Sequence, residues 1–338
     1  MSLPPVEIPL GAMRFNSDSQ KLEYFNGEIW MQIHTFSPDL DGGARGFRAG
    51  AQTGGGSPWP QTDRIDYITI SSAGNAIDFG NLTGNRFGPA GASSRTRGLF
   101  MCGGTPSRLT NVDYFTMSSL GNAADFGDMT LGRAAGGNSA HSNQTRAMLS
   151  GGSSASSDYN NVMDYITIAS TGDGVDFGDL TAAISSPATG GSPTRSIMGG
   201  GSVSGGHTNV IGYVNIATTG NAVDAGDLVN ASNGRAISNT IRLIISAHQT
   251  ASTRLDTVII STLGDAYGFS DLATTQTQGV WCTSSKTRGI WGVQPTGGDS
   301  NTIEYLSMTT SGTAVDFGDS TQVIRNCGGT SNDHGGLG

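Results

Sequence analysis

Hydrophobic and polar residues alternate with a period of two in short segments along most of the chain. In segment 66–70, which reads Asp-Tyr-Ile-Thr-Ile, β-branched and aromatic residues alternate as a half-buried strand requires. Turns rich in Ser, Thr and Gly separate such segments. No apolar stripe with the helical spacing of about 3.6 residues interrupts them. The pattern therefore predicts an all-β protein.

One sequence unit occurs six times, and a turn glycine marks each copy. These glycines are Gly74, Gly121, Gly172, Gly220, Gly264 and Gly312, separated by 47, 51, 48, 44 and 48 residues. Each copy contains a segment that opens with an arginine, then a strand with Tyr or its equivalent, and then an Asp-Phe-Gly segment or a variant of it. A stretch of small residues leads to the next copy. Four strands per unit, repeated six times, predict a six-bladed β-propeller over residues 44–338.

The two ends of the repeat array predict how the first blade is completed. The stretch of small residues should form the innermost strand, because large side chains do not fit where blades crowd near an axis. The array begins at the Arg45 segment without such a strand, and it ends with segment 321–332, which has the missing pattern. We therefore expect the C-terminal segment to supply the innermost strand of the first blade and so remove an exposed sheet edge.

Residues 1–43 do not share the repeat. Three short strand patterns lie at 11–16, 21–25 and 28–33, and Asn26-Gly27 is a strong two-residue hairpin signal. A three-stranded meander is marginally stable alone, so we expect it to attach the chain to a neighbouring protein. The candidate attachment residues are Phe15, Leu22, Tyr24, Ile29, Trp30 and Met31.

Composition narrows the possible functions. Glycine accounts for 52 of the 338 residues, charged residues for 13%, and the net charge is -9. The 18 basic residues are spread singly, so nucleic-acid binding is not expected. The apolar runs are too short for membrane insertion, and the N-terminus lacks a signal-peptide pattern, which predicts synthesis in the cytoplasm.

The sequence offers little for catalysis. Cys102, Cys282 and Cys327 form no CxxC motif and are expected to be buried. The Asp-Phe-Gly triplets occur in repeats without a phosphate-binding loop, so we expect the aspartates to accept backbone N–H bonds, with calcium binding as the alternative. Only Glu304, of four glutamates, lies within the repeats, and no G-x-S-x-G motif is present. We predict no enzymatic activity, no cofactor and no metal site.

Differences between the copies lie mainly in the loops between second and third strands. Aromatic, amide, carboxylate and histidine side chains in these loops suit carbohydrate recognition, although ordinary solvated loops are the alternative. The candidate receptor-binding residues are Trp59, Gln61, Arg108, Tyr159, Asn160, His207, His248, Gln249, Asp299 and Asn301. The arginine that opens each copy is instead expected to pair with neighbouring carboxylates or carbonyls as part of the scaffold.

Two resemblances follow from these motifs. Gly-Gly after the second strand, Tyr in the third and an aromatic residue in the fourth resemble kelch-type propellers, although Phe stands where kelch repeats usually carry Trp. The Gly-Ala-x-Arg-Phe-Asn and Lys-Leu-Glu-Tyr-Phe-Asn-Gly-x-x-Trp segments, combined with the repeats, resemble virion structural proteins of tailed bacteriophages, cyanophages in particular.

The phage resemblance implies a virion protein that is made in the host cytoplasm and released by lysis. It implies a tail fibre or tail-associated propeller that binds a host glycan or protein receptor. The N-terminal segment would bind other virion proteins, and the chain would be oligomeric in the particle. The alternative is a purely structural capsid or baseplate decoration protein that binds no receptor.

Overall fold

The structure is a computed structural model that describes residues 8–16, 21–32, 44–53, 60–134, 136, 139–246, 251–276, 281–295, 298 and 300–338. The chain forms two compact units, Met1–Leu40 and Asp41–Gly338. The described residues contain strands, turns and one short 3-10 helix at Gly335–Leu337, and they contain no α-helix.

The described residues of the N-terminal unit form one antiparallel sheet of three strands. The strands are β1 (Met13–Asn16), β2 (Lys21–Phe25) and β3 (Trp30–Gln32). Their order is β1-β2-β3, and Asn26 Oδ1 accepts hydrogen bonds from the backbone N–H groups of Glu28 and Ile29 in the turn. A hairpin therefore joins β2 and β3 as predicted, but its connection consists of residues 26–29 and not of Asn26-Gly27 alone, and β3 begins at Trp30 and not at residue 28.

The second unit contains the remaining strands. They are β4 (Arg45–Thr53), β5 (Gln61–Thr69), β6 (Ile77–Arg86), β7 (Ala90–Ser93), β8 (Arg97–Met101), β9 (Asn111–Thr116), β10 (Ala124–Asp128), β11 (Arg133–Ala134), β12 (Ala140–Ser142), β13 (Arg146–Ser150), β14 (Ser153–Ser154), β15 (Asn160–Thr167), β16 (Val175–Ile184), β17 (Ala188–Gly191), β18 (Arg195–Gly199), β19 (Ser202–Val203), β20 (Gly206–His207), β21 (Val210–Asn215), β22 (Val223–Asp227), β23 (Ala236–Ser238), β24 (Arg242–Ser246), β25 (Ser252–Ile259), β26 (Tyr267–Gln276), β27 (Trp281–Ser284), β28 (Arg288–Gly292), β29 (Thr302–Ser307), β30 (Val315–Asp319), β31 (Ile324–Arg325) and β32 (Gly328–Ser331).

These strands form small antiparallel sheets that follow the sequence repeat. Sheet 2 is β7-β8-β9-β10, sheet 3 is β12-β13-β15-β16, sheet 4 is β17-β18-β21-β22, sheet 5 is β23-β24-β25-β26 and sheet 6 is β27-β28-β29-β30. Sheet 1 is β4-β5-β6, with β31 and β32 both paired to β4. The architecture is all-β, with many small antiparallel four-stranded sheets, and is consistent with a β-propeller-like class.

The C-terminal strand completes sheet 1 as the sequence predicts. Strand β32 pairs with β4 in antiparallel register, with Gly328 opposite Ala49 and Ser331 opposite Gly46. The first strand of each sheet contains small residues because neighbouring sheets approach closely there. A Cβ atom on Gly91 of β7 would lie 2.3 Å from the carbonyl oxygen of Gly329 in β32.

The described core residues of the second unit form six clusters, each filled from two sheets. Apolar residues on one face of each sheet pack against the next sheet. Each cluster includes members from both of its sheets, for example Phe47 and Phe115 (sheets 1 and 2), Leu99 and Ile166 (2 and 3), Met163 and Val214 (3 and 4), Ile211 and Val258 (4 and 5), Leu255 and Leu306 (5 and 6), and Ile303 and Ile68 (6 and 1).

Candidate functional site

The repeated arginines join neighbouring sheets and are not grouped into a site. Arg97 Nη1 donates to the carbonyl oxygen of Ile168 in the next sheet at 2.6 Å, and its guanidinium lies 4.8 Å from the centroid of the Tyr114 ring. Arg288 of sheet 6 donates in the same way to Ile70 and Ser71 of sheet 1. Arg45, Arg146 and Arg195 make the same kind of bond, so the expected pairing with neighbouring carbonyls is present at five of the six arginines. The guanidinium of the sixth, Arg242, lies 4.6 Å from the centroid of the Phe269 ring in its own sheet.

The Asp-Phe-Gly triplets also join sheets, mainly through their glycines. Gly80 has a φ of +155°, and a Cβ atom there would lie 2.3 Å from the carbonyl oxygen of Gly121 in the next sheet. Beside this contact, Asn122 Oδ1 accepts a hydrogen bond from the backbone N–H of Asn81. The aspartate Asp78 is exposed and lies 3.6 Å from Arg64. The triplet therefore serves close packing between repeats.

Buried ion pairs connect two of the sheet boundaries, and a third buried pair, Arg48–Asp66, joins β4 and β5 within sheet 1. Arg86 of β6 pairs with Asp113 of β9 at 3.0 Å, and both side chains are almost completely buried. Arg133 pairs with Asp164, and Arg48 pairs with Asp66. Backbone and hydroxyl groups of Thr83 donate further hydrogen bonds to Asp113. Each carboxylate is thus satisfied by several donors, as a buried charge requires.

The variable loops lie against the segments that connect consecutive sheets. Phe87, between sheets 1 and 2, pairs with Gly104 of the sheet 2 loop, and Ser185 pairs with Ser202 of the sheet 4 loop. Strand β11, between sheets 2 and 3, pairs with β14 in the sheet 3 loop. Loops and connecting segments therefore form one surface at the start of the first strands of the sheets.

An open pocket of about 170 Å³ lies in this surface, and we call it the loop pocket. Its lining consists of Phe87, Gly88, Arg108, Ala134, Gly136, Ser153, Ser185, Ser186 and Asn326. Four of these residues, at 88, 136, 186 and 326, each precede the first strand of a sheet by a few positions. The pocket therefore draws on the connecting segments of four different sheet boundaries.

Arg108 supplies the charge of the loop pocket. Its guanidinium lies 5.5 Å from the centroid of the Phe87 ring, and both side chains are half-buried. Among the described residues, Arg108 has no ion pair and its side chain has no hydrogen-bond partner. The described lining contains no acidic side chain. A guanidinium in this environment is available for an anion or a hydrogen-bond acceptor.

The other loop candidates within the described residues do not line the loop pocket. Asn160 Nδ2 donates to the carbonyl oxygen of Gly152, and His207 Nδ1 lies 3.2 Å from Ser202 Oγ, so both support their own loops. Tyr159 is half-buried in the same loop as Asn160, whereas Gln61 and Asn301 lie at other loop ends. The candidates Trp59, His248, Gln249 and Asp299 lie outside the described residues.

Most attachment candidates share one face of the N-terminal sheet. Register pairs Met13 with Tyr24 and Tyr24 with Met31, while Phe15 lies opposite Leu22. All five side chains are exposed, Phe15 at 66%. We call this surface the apolar face.

Trp30 and Ile29 lie elsewhere in this unit. Trp30 is on the opposite face of the sheet, where the Arg14 guanidinium lies 4.2 Å from its ring and Phe25 packs at 5.5 Å. On the same face, hydrogen bonds from Asn16 and from Arg14 lower the pKa of Glu23. Ile29 is exposed in the turn before β3.

A second cavity, of about 40 Å³, is lined by the first strands of all six sheets, and we call it the axial cavity. At its edge, hydrogen bonds link each of these strands to the next. The linked pairs are Ser142 with Ser93, Ser93 with Ser331, Ser331 with Ser284, Ser284 with Ser238, Ser238 with Gly191, and Ser192 with His141. A cavity of this size holds only a few water molecules.

The C-terminal residues cover the axial cavity. Leu337 is buried, and Arg95 Nη2 donates to the carbonyl oxygens of Leu337 and Gly338. His334 lies with its ring centroid 5.9 Å from that of His141. Burial lowers the pKa of His141 to about 4 and that of His334 to about 3, so both imidazoles are neutral at pH 7.

The three cysteines are buried, as the sequence predicts. Burial raises the pKa of Cys102 to about 11 and the pKa values of Cys282 and Cys327 to about 12. The thiols therefore stay protonated at neutral pH and are poor nucleophiles.

Of the residues that line the loop pocket, only Arg108 is among the candidates predicted from the sequence. Phe87, Ser186 and Asn326 lie in connecting segments that the sequence treats as part of the repeat. The sequence does contain one signal. Gly88 lies in the bend before the first strand of its sheet, which we call a corner, and the same corner is Ser186 and Asn326 in two other copies. In the structure all three residues have positive φ angles, of 60°, 54° and 50°, a conformation that is uncommon for residues other than glycine and that occurs often at binding sites.

The described residues contain no group of three or more His, Cys, Asp or Glu side chains that could hold a metal ion. They also contain no helix with the length and apolar character needed to cross a membrane. A scan against models of known protein families finds no match, and a search of curated proteins finds no significant relative.

Proposed function

We propose that the chain is a bacteriophage virion component, a tail fibre or tail-associated protein, whose six-bladed, kelch-like β-propeller binds the host cell surface. The N-terminal sheet would attach it to other virion proteins. The protein would be a binding module without enzymatic activity. It would be made in the host cytoplasm and released by lysis as part of the particle.

The cyclic order of contacts supports a closed ring of six blades. The core clusters couple each sheet to the next and also couple sheet 6 to sheet 1. The first strand β32 contacts both β7 of sheet 2 and β27 of sheet 6. The hydrogen bonds around the axial cavity follow the same cyclic order. A ring leaves no exposed first or last blade, which suits a protein displayed on a particle surface.

The proposal of receptor binding rests on the loop pocket. Elsewhere the repeated side chains are engaged in joining one sheet to the next, whereas the loop pocket presents a guanidinium without an ion pair among the described residues. Function in repeat proteins is expected where the repeat departs from its pattern. The loop pocket lies at such a place, in the variable loops and the connecting segments beside them.

The apolar face supports attachment. Its side chains come from all three strands and remain exposed within the N-terminal unit. A small sheet with an uncovered apolar surface gains stability when another protein buries that surface. Variants Phe15→Ser and Leu22→Ser should therefore weaken incorporation into particles and leave host binding by the purified chain unchanged.

Two measurements test the proposal. Antibodies against the chain should label intact phage particles that encode it in electron micrographs. Fluorescently labelled full-length chain should bind host cells saturably in flow cytometry. Labelled particles together with absent cell binding would favour a structural decoration protein and contradict host recognition. Absence of the chain from particles would overturn the virion assignment.

A further inference from the structure

We infer that the loop pocket binds a single acidic sugar residue by its carboxylate, with Arg108 as the carboxylate-binding group. The inference rests on the proposed function for the source of that sugar, a host surface polysaccharide. It adds the chemical class of the ligand and the residues that select it.

The charge of the pocket indicates an anionic group. The protein has a net charge of -9, yet the described lining of the loop pocket contains Arg108 and no acidic side chain. The buried arginines Arg86 and Arg133, by contrast, are paired with aspartates. A planar guanidinium binds a planar carboxylate through two parallel hydrogen bonds. The Phe87 ring beside Arg108 also restricts the orientation of the guanidinium.

The neutral polar groups of the pocket suit sugar hydroxyls. Ser153 and Ser186 both line the pocket, and their hydroxyl groups have no hydrogen-bond partner among the described residues. Asn326 donates through Nδ2 to Gln52 Oε1 at 2.9 Å, which leaves its Oδ1 as an acceptor. Hydroxyl donors and an amide acceptor are the groups that pair with the hydroxyls of a monosaccharide.

The backbone corners support a binding role for these side chains. The backbone N–H of Gly88 donates to the carbonyl oxygen of Asn326 at 2.6 Å, so two corners are directly linked. Gly88 has a φ of 60°, and glycine adopts this conformation without strain. Ser186 and Asn326 adopt it with side chains that line the pocket. Strained positions of this kind cluster at ligand-binding sites.

The size of the pocket limits the ligand to one sugar residue. Its volume of about 170 Å³ lies below the roughly 300–1,000 Å³ of pockets for drug-sized molecules. An open pocket of this size accepts one residue of a polysaccharide while the rest of the chain lies over the loops. Affinity for an isolated monosaccharide should then be weak, and multiple copies on a particle would increase it.

The test uses the full-length chain and ligand-observed NMR titration. The probes are the methyl glycosides of glucuronic, galacturonic and N-acetylneuraminic acid. Methyl glucoside and methyl galactoside serve as neutral counterparts, and glucose 6-sulfate as an anion of different shape. At least one carboxylated sugar should bind about tenfold or more tightly than the neutral sugars, because its charge-assisted hydrogen bonds to Arg108 are absent from them.

Three variants assign the binding to the loop pocket. Arg108→Gln should weaken binding by about tenfold or more, as expected for loss of a charged hydrogen-bond partner. Lys286→Gln removes one positive charge from a turn at the other ends of the first strands and should leave binding unchanged. Ser186→Gly should weaken binding by roughly two- to tenfold through loss of one hydroxyl. Glycine suits the φ of Ser186, so this variant should fold normally.

The outcomes separate the ligand assignment from the proposed function. Absence of binding by all three acidic sugars, unchanged binding by Arg108→Gln, or tighter binding of the sulfated sugar would overturn the carboxylate assignment. If the chain nevertheless binds host cells, the proposed function stands without it. If acidic sugars bind through Arg108 but host cells are not bound, the proposed function fails and the pocket assignment stands.

Discussion

At the scale of single residues, close contact with the next sheet explains why the third residue of the Asp-Phe-Gly triplet is glycine. Gly80 and Gly84 both lie in β6, which makes them a matched pair. Gly80→Ala should destabilise the protein by about 1–3 kcal/mol or more, because it adds backbone strain and places a Cβ atom 2.3 Å from Gly121 O. Urea unfolding followed by tryptophan fluorescence measures the change.

Gly84→Ala is the control for that measurement. Nothing lies within 4 Å of a Cβ atom at Gly84, and its φ is not positive. Its free energy of unfolding should therefore change by no more than about 0.5 kcal/mol. Equal destabilisation by the two variants would mean that lost glycine flexibility in β6, and not contact between sheets, explains the effect.

At the scale of the element, the buried ion pairs show how two strands are matched across a sheet boundary. Arg86 ends β6 and pairs with Asp113 of the next sheet. At the corresponding boundary between sheets 3 and 4, β16 ends in Ile184 and the aspartate position is Gly212. Both charges are absent together there, and buried Ile184 packs in an apolar cluster. An apolar pair can replace a buried ion pair, whereas a single unpaired charge cannot remain buried.

A double-mutant cycle tests this pairing. Arg86→Ile should cost about 3–5 kcal/mol of unfolding free energy, because it leaves the Asp113 carboxylate buried without its guanidinium. The double variant Arg86→Ile with Asp113→Ala should cost less than the sum of the two single variants, by about 1–3 kcal/mol. Additive costs would show that the two side chains stabilise the boundary independently.

The strands and their grouping into sheets could be predicted because they depend on local signals. Period-two alternation, turn glycines and a repeat of about 48 residues all indicate four strands per unit. Even the long-range pairing of β32 with β4 followed, since segment 321–332 has the pattern that the start of the array lacks. The separate role of Trp30 could not be predicted, because alternation alone does not show that Arg14 and Phe25 cover its ring.

The loop pocket was less predictable, for a physical reason. Arg108 stands out in the sequence because it is a charged residue in one of the variable loops. Phe87, however, lies about twenty positions earlier, and Asn326 lies over two hundred positions later. Only the packing of successive sheets brings their connecting segments together. A pocket built from several corners of a repeat leaves no contiguous motif in the sequence.

At the scale of the whole molecule, strand β32 connects the end of the chain to its beginning. Removal of residues 328–338 would expose the edge of β4 and uncover the core between sheets 6 and 1. The truncated chain should be aggregated or partly unfolded by size-exclusion chromatography and circular dichroism. Removal of residues 1–40 is the matched control and should leave the second compact unit folded. A monomeric, cooperatively folding chain without 328–338 would show that β32 is dispensable.

The two buried histidines predict a loss of stability in acid. His141 Nε2 lies 3.1 Å from the carbonyl oxygen of Ser192, so this nitrogen carries the proton. The backbone N–H of Gly336 donates to His334 Nδ1, so His334 Nε2 carries its proton and faces Ser142 Oγ. Each ring is therefore satisfied as a neutral imidazole, and a second proton on either one would place a charge inside the axial cavity.

The sign of the pH dependence follows from the lowered pKa values. An unfolded histidine titrates near 6.5, whereas the folded pKa of His141 is about 4 and that of His334 about 3. Between these limits the unfolded chain binds more protons than the folded chain, so acid favours unfolding. The stabilisation is complete above pH 6.5 and should decrease as the pH falls toward 4, by on the order of 3 kcal/mol for His141.

Thermal unfolding between pH 7.5 and pH 4 measures this effect in the wild type and two variants. His141→Gln keeps a side-chain N–H that can donate to Ser192 O but does not titrate, so its melting temperature should decrease less steeply with acid. His207→Gln removes a half-buried histidine of the β19–β20 hairpin and should follow the wild type. If His141→Gln shows the full acid dependence of the wild type, other groups unfold the protein in acid. The C-terminal residues that cover the axial cavity would then be held by the hydrogen bonds of Arg95 and not by neutral histidines.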